Sequence, residues 1–127
     1  MARKVSDGRS VRVTVPASTT VEAGKFYLLD GFFGLAVQSV TTGAEQTAEV
    51  ILNCEQAEYE TSQITTADAF AKGDKVYWND STKLLTTQAN PDANGNPQNR
   101  PVGRVTVAKD ANNVIWFILG PQVQAHA

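Results

Sequence analysis

The feature that most constrains the fold of this chain is a series of short segments in which apolar and polar residues alternate. Val11, Val13 and Val15 are separated by polar residues, which is the period of a strand with one buried face. Pro16 ends that segment. No stretch of ten or more residues has the period of an amphipathic helix. The sequence therefore predicts an all-β protein.

The same pattern predicts about nine short strands separated by clusters of turn-forming residues. The clearest strands span residues 11–15, 25–30, 33–40, 47–60, 75–78, 84–87, 102–107 and 114–119. In the 47–60 segment the apolar parity changes near Gln56, which predicts a bend or a bulge. Residues 66–71 have room for a single helical turn. Many short strands without helices favour an antiparallel β-sandwich or a jelly-roll-like small barrel.

The last predicted strand, residues 114–119, is apolar at consecutive positions. Both of its faces are therefore expected to be covered, one by the core and the other by a second layer or another protomer. A turn at Asp110, Asn112 and Asn113 joins it to the preceding strand. Gln88–Asn99 is rich in Asn, Pro and Gly and predicts an exposed loop.

The length of 127 residues is that of one domain, and the 42% apolar and 19% charged composition is typical of a folded globule. We expect residues 1–10 to form a basic arm, residues 11–121 a single β domain and residues 122–127 a flexible tail. No apolar run approaches the length of a membrane span, and the start lacks the apolar core of a signal peptide. Synthesis and residence in the cytoplasm of the producing cell are expected.

The net charge of -2 is distributed unevenly. The basic arm carries Arg3, Lys4 and Arg9 against Asp7, whereas residues 41–62 contain five Glu and neither Lys nor Arg. The sequence shows no broad basic face with interleaved aromatic residues, so nucleic-acid binding is not expected. We expect Arg3, Lys4 and Arg9 to contact an acidic protein surface.

The residue inventory argues against catalysis and against a cofactor or metal. His126 is the only histidine and lies one residue from the terminus, where a third group would not orient it. Cys54 has the parity of a buried, inert thiol. Glu58 and Glu60 share a strand face and are expected to be solvated, although a hydrolase would use such a pair.

A calcium loop is also not expected. Asp92, Asn94 and Asn96 have the first spacings of such a loop, but Pro97 replaces its glycine and Gly103 replaces its bidentate glutamate. The segment is better explained as a flexible loop.

Aromatic residues at turns are the strongest candidates for binding partners. Phe32 and Phe33 stand between two glycines, so one ring can anchor an interface, or both can lie in the core. Tyr77, Trp78 and Asn79 could form a platform for a sugar ring. A carbohydrate-binding β module is therefore the alternative function.

Three stretches in order resemble bacteriophage capsid cement or decoration proteins. They are Phe33-Gly34-Leu35-Ala36-Val37, Gly73-Asp74-Lys75-Val76-Tyr77-Trp78-Asn79-Asp80 and Pro101-Val102-Gly103-Arg104-Val105. The resemblance extends from about Val11 to Leu119, and the basic arm and the 88–99 loop depart from it.

The resemblance implies a structural virion protein without enzymatic activity. Such a protein binds the outer surface of the finished shell and cements neighbouring major capsid protein subunits. It is made in the host bacterial cytoplasm and is usually a homodimer or homotrimer on the shell.

Overall fold

The computed structural model describes residues 2–123, and within them all regular structure is β. Every pairing between two of the strands named below is antiparallel, which confirms the all-β, antiparallel prediction. The described chain forms two compact units, one up to Glu55 and one from Gln56 onward. Each unit is described by itself below. The jelly-roll topology and the single domain over residues 11–121 stay predictions.

The first unit contains six strands in two sheets. They are β1 (Ser10–Val15), β2 (Thr20–Val21), β3 (Phe26–Leu29), β4 (Phe32–Ala36), β5 (Val40–Thr41) and β6 (Ala48–Asn53). One sheet has the order β1-β6-β4-β3, and β2 pairs with β5 in a small second sheet. The predicted 33–40 strand is divided between β4 and β5, with a bend at Gln38. The short β2–β5 pair was not predicted.

The core of the first unit follows from the alternation seen in the sequence. Val13 and Val15 of β1 are buried, and Val13 lies opposite Val50 of β6. Pairing the inward residues of adjacent strands in this way builds one apolar face. The buried cluster comprises Val13, Val15, Val21, Ala36, Val50, Leu52 and Cys54.

The second unit contains five strands in one sheet. They are β7 (Glu58–Thr61), β8 (Lys75–Asn79), β9 (Leu84–Thr86), β10 (Arg100–Val107) and β11 (Ile115–Leu119), in the order β7-β11-β10-β8-β9. The predicted 47–60 strand is therefore two strands, β6 and β7, and the predicted bend near Gln56 separates them. The core of this sheet contains Val76, Trp78, Leu85, Val102, Val105, Ile115, Phe117 and Leu119.

Side-chain acceptors shape the turns of the second unit. The Asn79 Oδ1 atom accepts hydrogen bonds from the backbone N–H groups of Ser81 and Thr82, which closes the predicted β8–β9 hairpin. Asp110 Oδ1 does the same for Asn112 and Val114 between β10 and β11. The helical turn expected at residues 66–71 is wrong, because this segment contains a turn and no helix.

Candidate partner surfaces

The basic arm lies at the surface and has no regular structure from Ala2 to Gly8. Arg3, Lys4 and Arg9 are all exposed. Lys4 Nζ lies 2.7 Å from the Asp7 carboxylate, but both side chains are largely exposed, so water screens the pair. The backbone carbonyl of Arg9 accepts a hydrogen bond from the Cys54 N–H at 2.8 Å, which fixes the end of the arm next to β1.

The two phenylalanines between Gly31 and Gly34, both in β4, have different environments. Phe33 is 1% exposed and stacks on Phe26, with ring centroids 5.3 Å apart. Its ring is part of the core and is not accessible to a partner. Phe32 is half-buried and packs against the core cluster of the first unit. Of this predicted pair, only Phe32 therefore presents surface to a partner.

A second exposed surface lies on the sheet of the second unit, and we call it the outer sheet face. Trp116 and Ile118 of β11 are 42% and 48% exposed, whereas Ile115, Phe117 and Leu119 are buried. The sequence predicted that both faces of this strand are covered. Within residues 2–123 the inner side chains of this strand are covered, whereas Trp116 and Ile118 on the other face are exposed.

Charges on the outer sheet face are arranged by strand register. One cross-strand row contains Glu58 of β7, Ile118 of β11, Arg104 of β10 and Lys75 of β8. Directly paired residues of antiparallel strands share a face, so this row runs from an acid through an apolar side chain to two cations. The next row contains Glu60, Trp116 and Val107, and Val107 is 44% exposed.

The polar side chains of the outer sheet face are only partly engaged within the chain. The Glu58 carboxylate accepts a hydrogen bond from the Thr106 hydroxyl at 2.5 Å. Arg104 donates one hydrogen bond to the Gly73 carbonyl at 2.7 Å, which leaves most of its five donors for other acceptors. Three ion pairs of the described chain, Lys4–Asp7, Lys25–Glu22 and Lys83–Asp80, lie away from this face.

Sequence reasoning identified β11 as two-faced but missed the charged rows beside it. The signal was present in the parity of residues 115–119. Assigning Arg104 and Lys75 to the same row required the strand order and the bulged register of β10, in which pairing shifts between Pro101 and Gly103. Neither can be deduced from one sequence.

The platform on which the carbohydrate alternative depended is not at the surface. Trp78 is 1% exposed and cannot stack on a sugar. The Asn79 amide oxygen is used in the hairpin turn. Tyr77 lines a surface cavity of about 460 Å³ together with Lys75 and Arg104, but a single half-buried ring lacks the aromatic pair expected at a sugar site.

The other candidate chemistry has ordinary structural explanations in the described residues. Cys54 is buried, as predicted. Asp92 Oδ1 accepts hydrogen bonds from the backbone N–H groups of Asn94 and Asn96 at 2.9 and 3.0 Å. This carboxylate therefore stabilises the turn of its own loop. Residues 2–123 contain no cluster of three or more His, Cys, Asp and Glu able to hold a metal ion. His126 lies outside the described residues.

Asp80 is the carboxylate whose environment changes its acidity. Partial burial raises its pKa, but hydrogen bonds from Lys83 and the Trp78 indole N–H, together with the Lys83 charge, outweigh burial. The pKa of Asp80 is therefore below its ordinary value of 3.8. Trp78 Nε1 lies 3.0 Å and Lys83 Nζ 2.8 Å from the same carboxylate oxygen.

Asp80→Asn should reduce the acid sensitivity of folding. A carboxyl with a depressed folded-state pKa stabilises the fold above its unfolded-state pKa, and this contribution is lost as pH falls through the folded-state value. We expect the variant to lose about 0.5–1 kcal/mol at pH 7, since the carboxylate is 55% exposed and screened. The difference in the free energy of unfolding between the variant and the parent chain should shrink below about pH 4.

Urea unfolding between pH 2.5 and 7 measures this effect. Asp7→Asn removes an exposed ion pair of similar distance and is the matched control. If Asp80→Asn lowered the free energy of unfolding by the same amount at pH 2.5 as at pH 7, the lowered pKa of Asp80 would be contradicted.

The described structure is thus an antiparallel β protein whose distinctive surfaces are a basic arm and a charge-ordered apolar sheet face. Residues 5–120 match the sequence family described as phage cement protein. The match spans most of the chain, so this protein belongs to the phage cement protein family, a structural component of phage virions. No curated protein and no solved structure matches the chain.

No helix within residues 2–123 has the length and apolar character needed to cross a membrane.

Proposed function

We propose that this protein binds the outer surface of a phage capsid and cements contacts between neighbouring major capsid protein subunits. The observation that carries the proposal is the family match over residues 5–120. Two exposed surfaces support it: the basic arm and the outer sheet face. The protein acts as a binding component, without a reaction centre.

Cementing follows from mass action. A ligand that binds the assembled shell, and not its separated subunits, stabilises the shell by RT ln(1 + [L]/Kd), about 2.7 kcal/mol per site at a hundredfold excess over Kd. One molecule that contacts two capsid subunits gains further, because its second contact forms at a high effective concentration. Individually weak contacts at many sites therefore suffice.

The basic arm is suited to one of these contacts. Arg3 and Lys4 extend on irregular backbone, and the arm is held to the folded unit through the Arg9 carbonyl. An unstructured cationic segment can follow an acidic protein surface and order on binding. We assign the arm, with Phe32 as an apolar contact, to the major capsid protein. Self-association on the shell accompanies this binding.

Sedimentation with capsids that lack the protein tests the proposed function. The chain should pellet with the capsids in a saturable manner at a fixed ratio to capsid subunits, and decorated capsids should withstand a higher temperature before opening. A protein that stays in the supernatant at all concentrations would reject the proposal.

Deleting residues 2–8 should weaken capsid binding about tenfold at low salt and leave the fold intact. The deletion removes Arg3 and Lys4 but retains the Arg9 carbonyl bonded to Cys54. Loss of two exposed cations and one carboxylate, Asp7, lowers the net positive charge of the arm by one, which reduces electrostatic attraction, and the effect should fade as salt rises. Co-sedimentation from 20 to 500 mM NaCl measures it.

Lys72→Ser removes an exposed cation outside the arm and serves as the control. Unchanged binding by the truncated chain, or an equal loss in Lys72→Ser, would show that the arm makes no specific contact.

A further inference from the structure

A concave pocket of about 460 Å³ opens on the second unit, where strands β8 and β10 lie beside the 88–99 loop. Two cations line it, Lys75 of β8 and Arg104 of β10, together with Tyr77. The described residues that line this pocket include no Asp or Glu. We call it the Lys75–Arg104 pocket. Its volume lies in the range of about 300–1,000 Å³ that is usual for binding pockets in proteins.

The two cations of this pocket stand directly opposite each other across the sheet. Arg104 and Lys75 are partners in the antiparallel register of β10 and β8. Like charges on directly opposed strand residues destabilise a sheet, because their Cβ atoms are only about 4.5–5.5 Å apart. Arg104 donates one hydrogen bond to the Gly73 carbonyl, and within residues 2–123 the Lys75 ammonium forms no ion pair or hydrogen bond. The described chain therefore places two cations together without a carboxylate that neutralises them.

The walls beside the two cations are apolar. Tyr77 of β8 lies directly opposite Pro101 of β10, and Pro97 of the 88–99 loop lines the same pocket. All three residues are half-buried. Proline and tyrosine rings give a rigid apolar surface, and the Tyr77 hydroxyl adds a hydrogen-bond donor. The pocket thus combines apolar walls with a few convergent polar groups, as binding sites do.

Hydrogen bonds hold the 88–99 loop, and with it one wall of the pocket, in place. The Gln98 N–H group donates to the Asn90 carbonyl at 3.1 Å. One residue further along, the Asn99 N–H group donates to the Ala89 carbonyl, also at 3.1 Å. These bonds join the two sides of the loop at its base, and Asp92 stabilises its tip. A wall that is already ordered lowers the entropy cost of binding.

We propose that the Lys75–Arg104 pocket binds an acidic segment of the major capsid protein, whose carboxylates pair with the two cations while its apolar side chains pack on the walls. Charge complementarity selects this occupant. The planar Arg104 guanidinium keeps N–H donors for a carboxylate, and a bound anion removes the repulsion between Arg104 and Lys75. Nucleic acid requires a broad basic face, which a pocket with two cations lacks. This inference deepens the proposed function and rests on it for the identity of the partner.

The preference of the pocket for carboxylates is measurable on the isolated chain. The probe is the peptide acetyl-Glu-Leu-Glu-amide, and acetyl-Gln-Leu-Gln-amide is its neutral counterpart. In NMR titrations at 20 mM NaCl, the acidic peptide should shift the backbone amide signals of Tyr77, Gly95 and Gly103, which line the pocket. The neutral peptide should not shift them. Lys75→Gln should raise the Kd of the acidic peptide about fivefold, the effect of losing one exposed ion pair.

Co-sedimentation with capsids that lack the protein tests whether the shell uses the pocket. Lys75→Gln and Arg104→Gln should each weaken binding about fivefold at 20 mM NaCl, with a smaller effect at 500 mM. Lys72→Gln is the matched control, because it removes an exposed lysine of the same unit that does not line the pocket. Lys75→Gln should leave the thermal unfolding midpoint unchanged or raise it, since it removes one of two opposed like charges. A lysine that served only the fold would show the opposite pattern.

The outcomes separate the pocket from the cement function. Capsid binding by Lys75→Gln and Arg104→Gln that equals binding by the parent chain would overturn the pocket and leave the cement function intact. A parent chain that does not pellet with capsids would reject the cement function, whereas the peptide titration still tests the pocket.

Three other results would also overturn the proposal. Equal amide shifts with the acidic and the neutral peptide would show that the pocket does not select carboxylates. Displacement of the acidic peptide by an equal concentration of a short DNA duplex would assign the pocket to nucleic acid. Loss of self-association in Lys75→Gln, with capsid binding by single copies unchanged, would assign it to a second copy of this chain.

Discussion

Replacing Gly103 by alanine is expected to destabilise the five-stranded sheet by about 3 kcal/mol or more. A Cβ atom at this position would lie 2.1 Å from the backbone oxygen of Ile118 and 3.1 Å from the Phe117 ring. The oxygen belongs to the neighbouring strand of the ladder, so it cannot turn away as a side chain would. The β10–β11 pairing must separate locally to admit one methyl group.

Urea unfolding followed by tryptophan fluorescence measures this loss, and amide exchange on β11 locates it. Gly43→Ala is the matched control, because its Cβ would meet only the flexible Gln46 side chain, whose nearest atom, Oε1, lies at 3.0 Å. We expect Gly43→Ala to lower the free energy of unfolding by less than about 1 kcal/mol. Equal effects at the two positions would contradict the close approach at Gly103.

Gly34 allows the same experiment in the first unit. Its Cβ would lie 2.6 Å from the Asn53 backbone oxygen and 3.0 Å from Cys54 Sγ. If residues 11–121 are a single folding domain, Gly34→Ala and Gly103→Ala should each lower one common unfolding midpoint. Two separate transitions, each shifted by one variant only, would instead show that the two compact units unfold independently.

Local pattern was sufficient for most strands of this protein. Alternation located β1, strand-forming segments between turn residues located β3 and β10, and the parity change at Gln56 located the division between β6 and β7. Turn-forming residues located the β8–β9 hairpin. An Asn or Asp side chain accepts hydrogen bonds from the backbone N–H groups of its own turn, and this does not depend on which other strands pair with the hairpin. These features depend on neighbours in sequence, which is why they are visible there.

The candidate surfaces show where local pattern fails. Phe32 and Phe33 have equal hydrophobicity, and only the stacking of Phe33 on Phe26 decides which ring is buried. Trp78 and Trp116 are likewise both strand tryptophans, yet one is 1% and the other 42% exposed. Which face of a strand is covered depends on the pairing of distant segments, and a single sequence does not specify it.

Trp78→Ala is expected to cost about 3–5 kcal/mol of folding stability, the range for truncating a large buried aromatic residue. Trp78 is among the largest fully buried side chains of the described chain, and its indole N–H bonds Asp80. Since a small domain has about 5–15 kcal/mol in total, the variant should be partly unfolded at 37 °C. Thermal unfolding by circular dichroism measures this.

Trp78→Phe separates packing from hydrogen bonding. It keeps most of the ring volume but leaves the Asp80 oxygen without the indole donor, so we expect a smaller loss of about 1–2 kcal/mol. Combined with Asp80→Asn, the two losses should sum to more than the double variant shows, because Trp78→Phe deletes the hydrogen bond that Asp80→Asn weakens by removing the acceptor's charge.

Trp116→Ala is the matched control for register, because the two tryptophans lie on opposite faces of one sheet. We expect Trp116→Ala to change the free energy of unfolding by less than about 1 kcal/mol, far less than Trp78→Ala, because Trp116 is 42% exposed. A one-residue slip in strand pairing would exchange inward and outward side chains throughout a strand. A large loss of stability in Trp116→Ala together with a small loss in Trp78→Ala would therefore refute the register of the sheet.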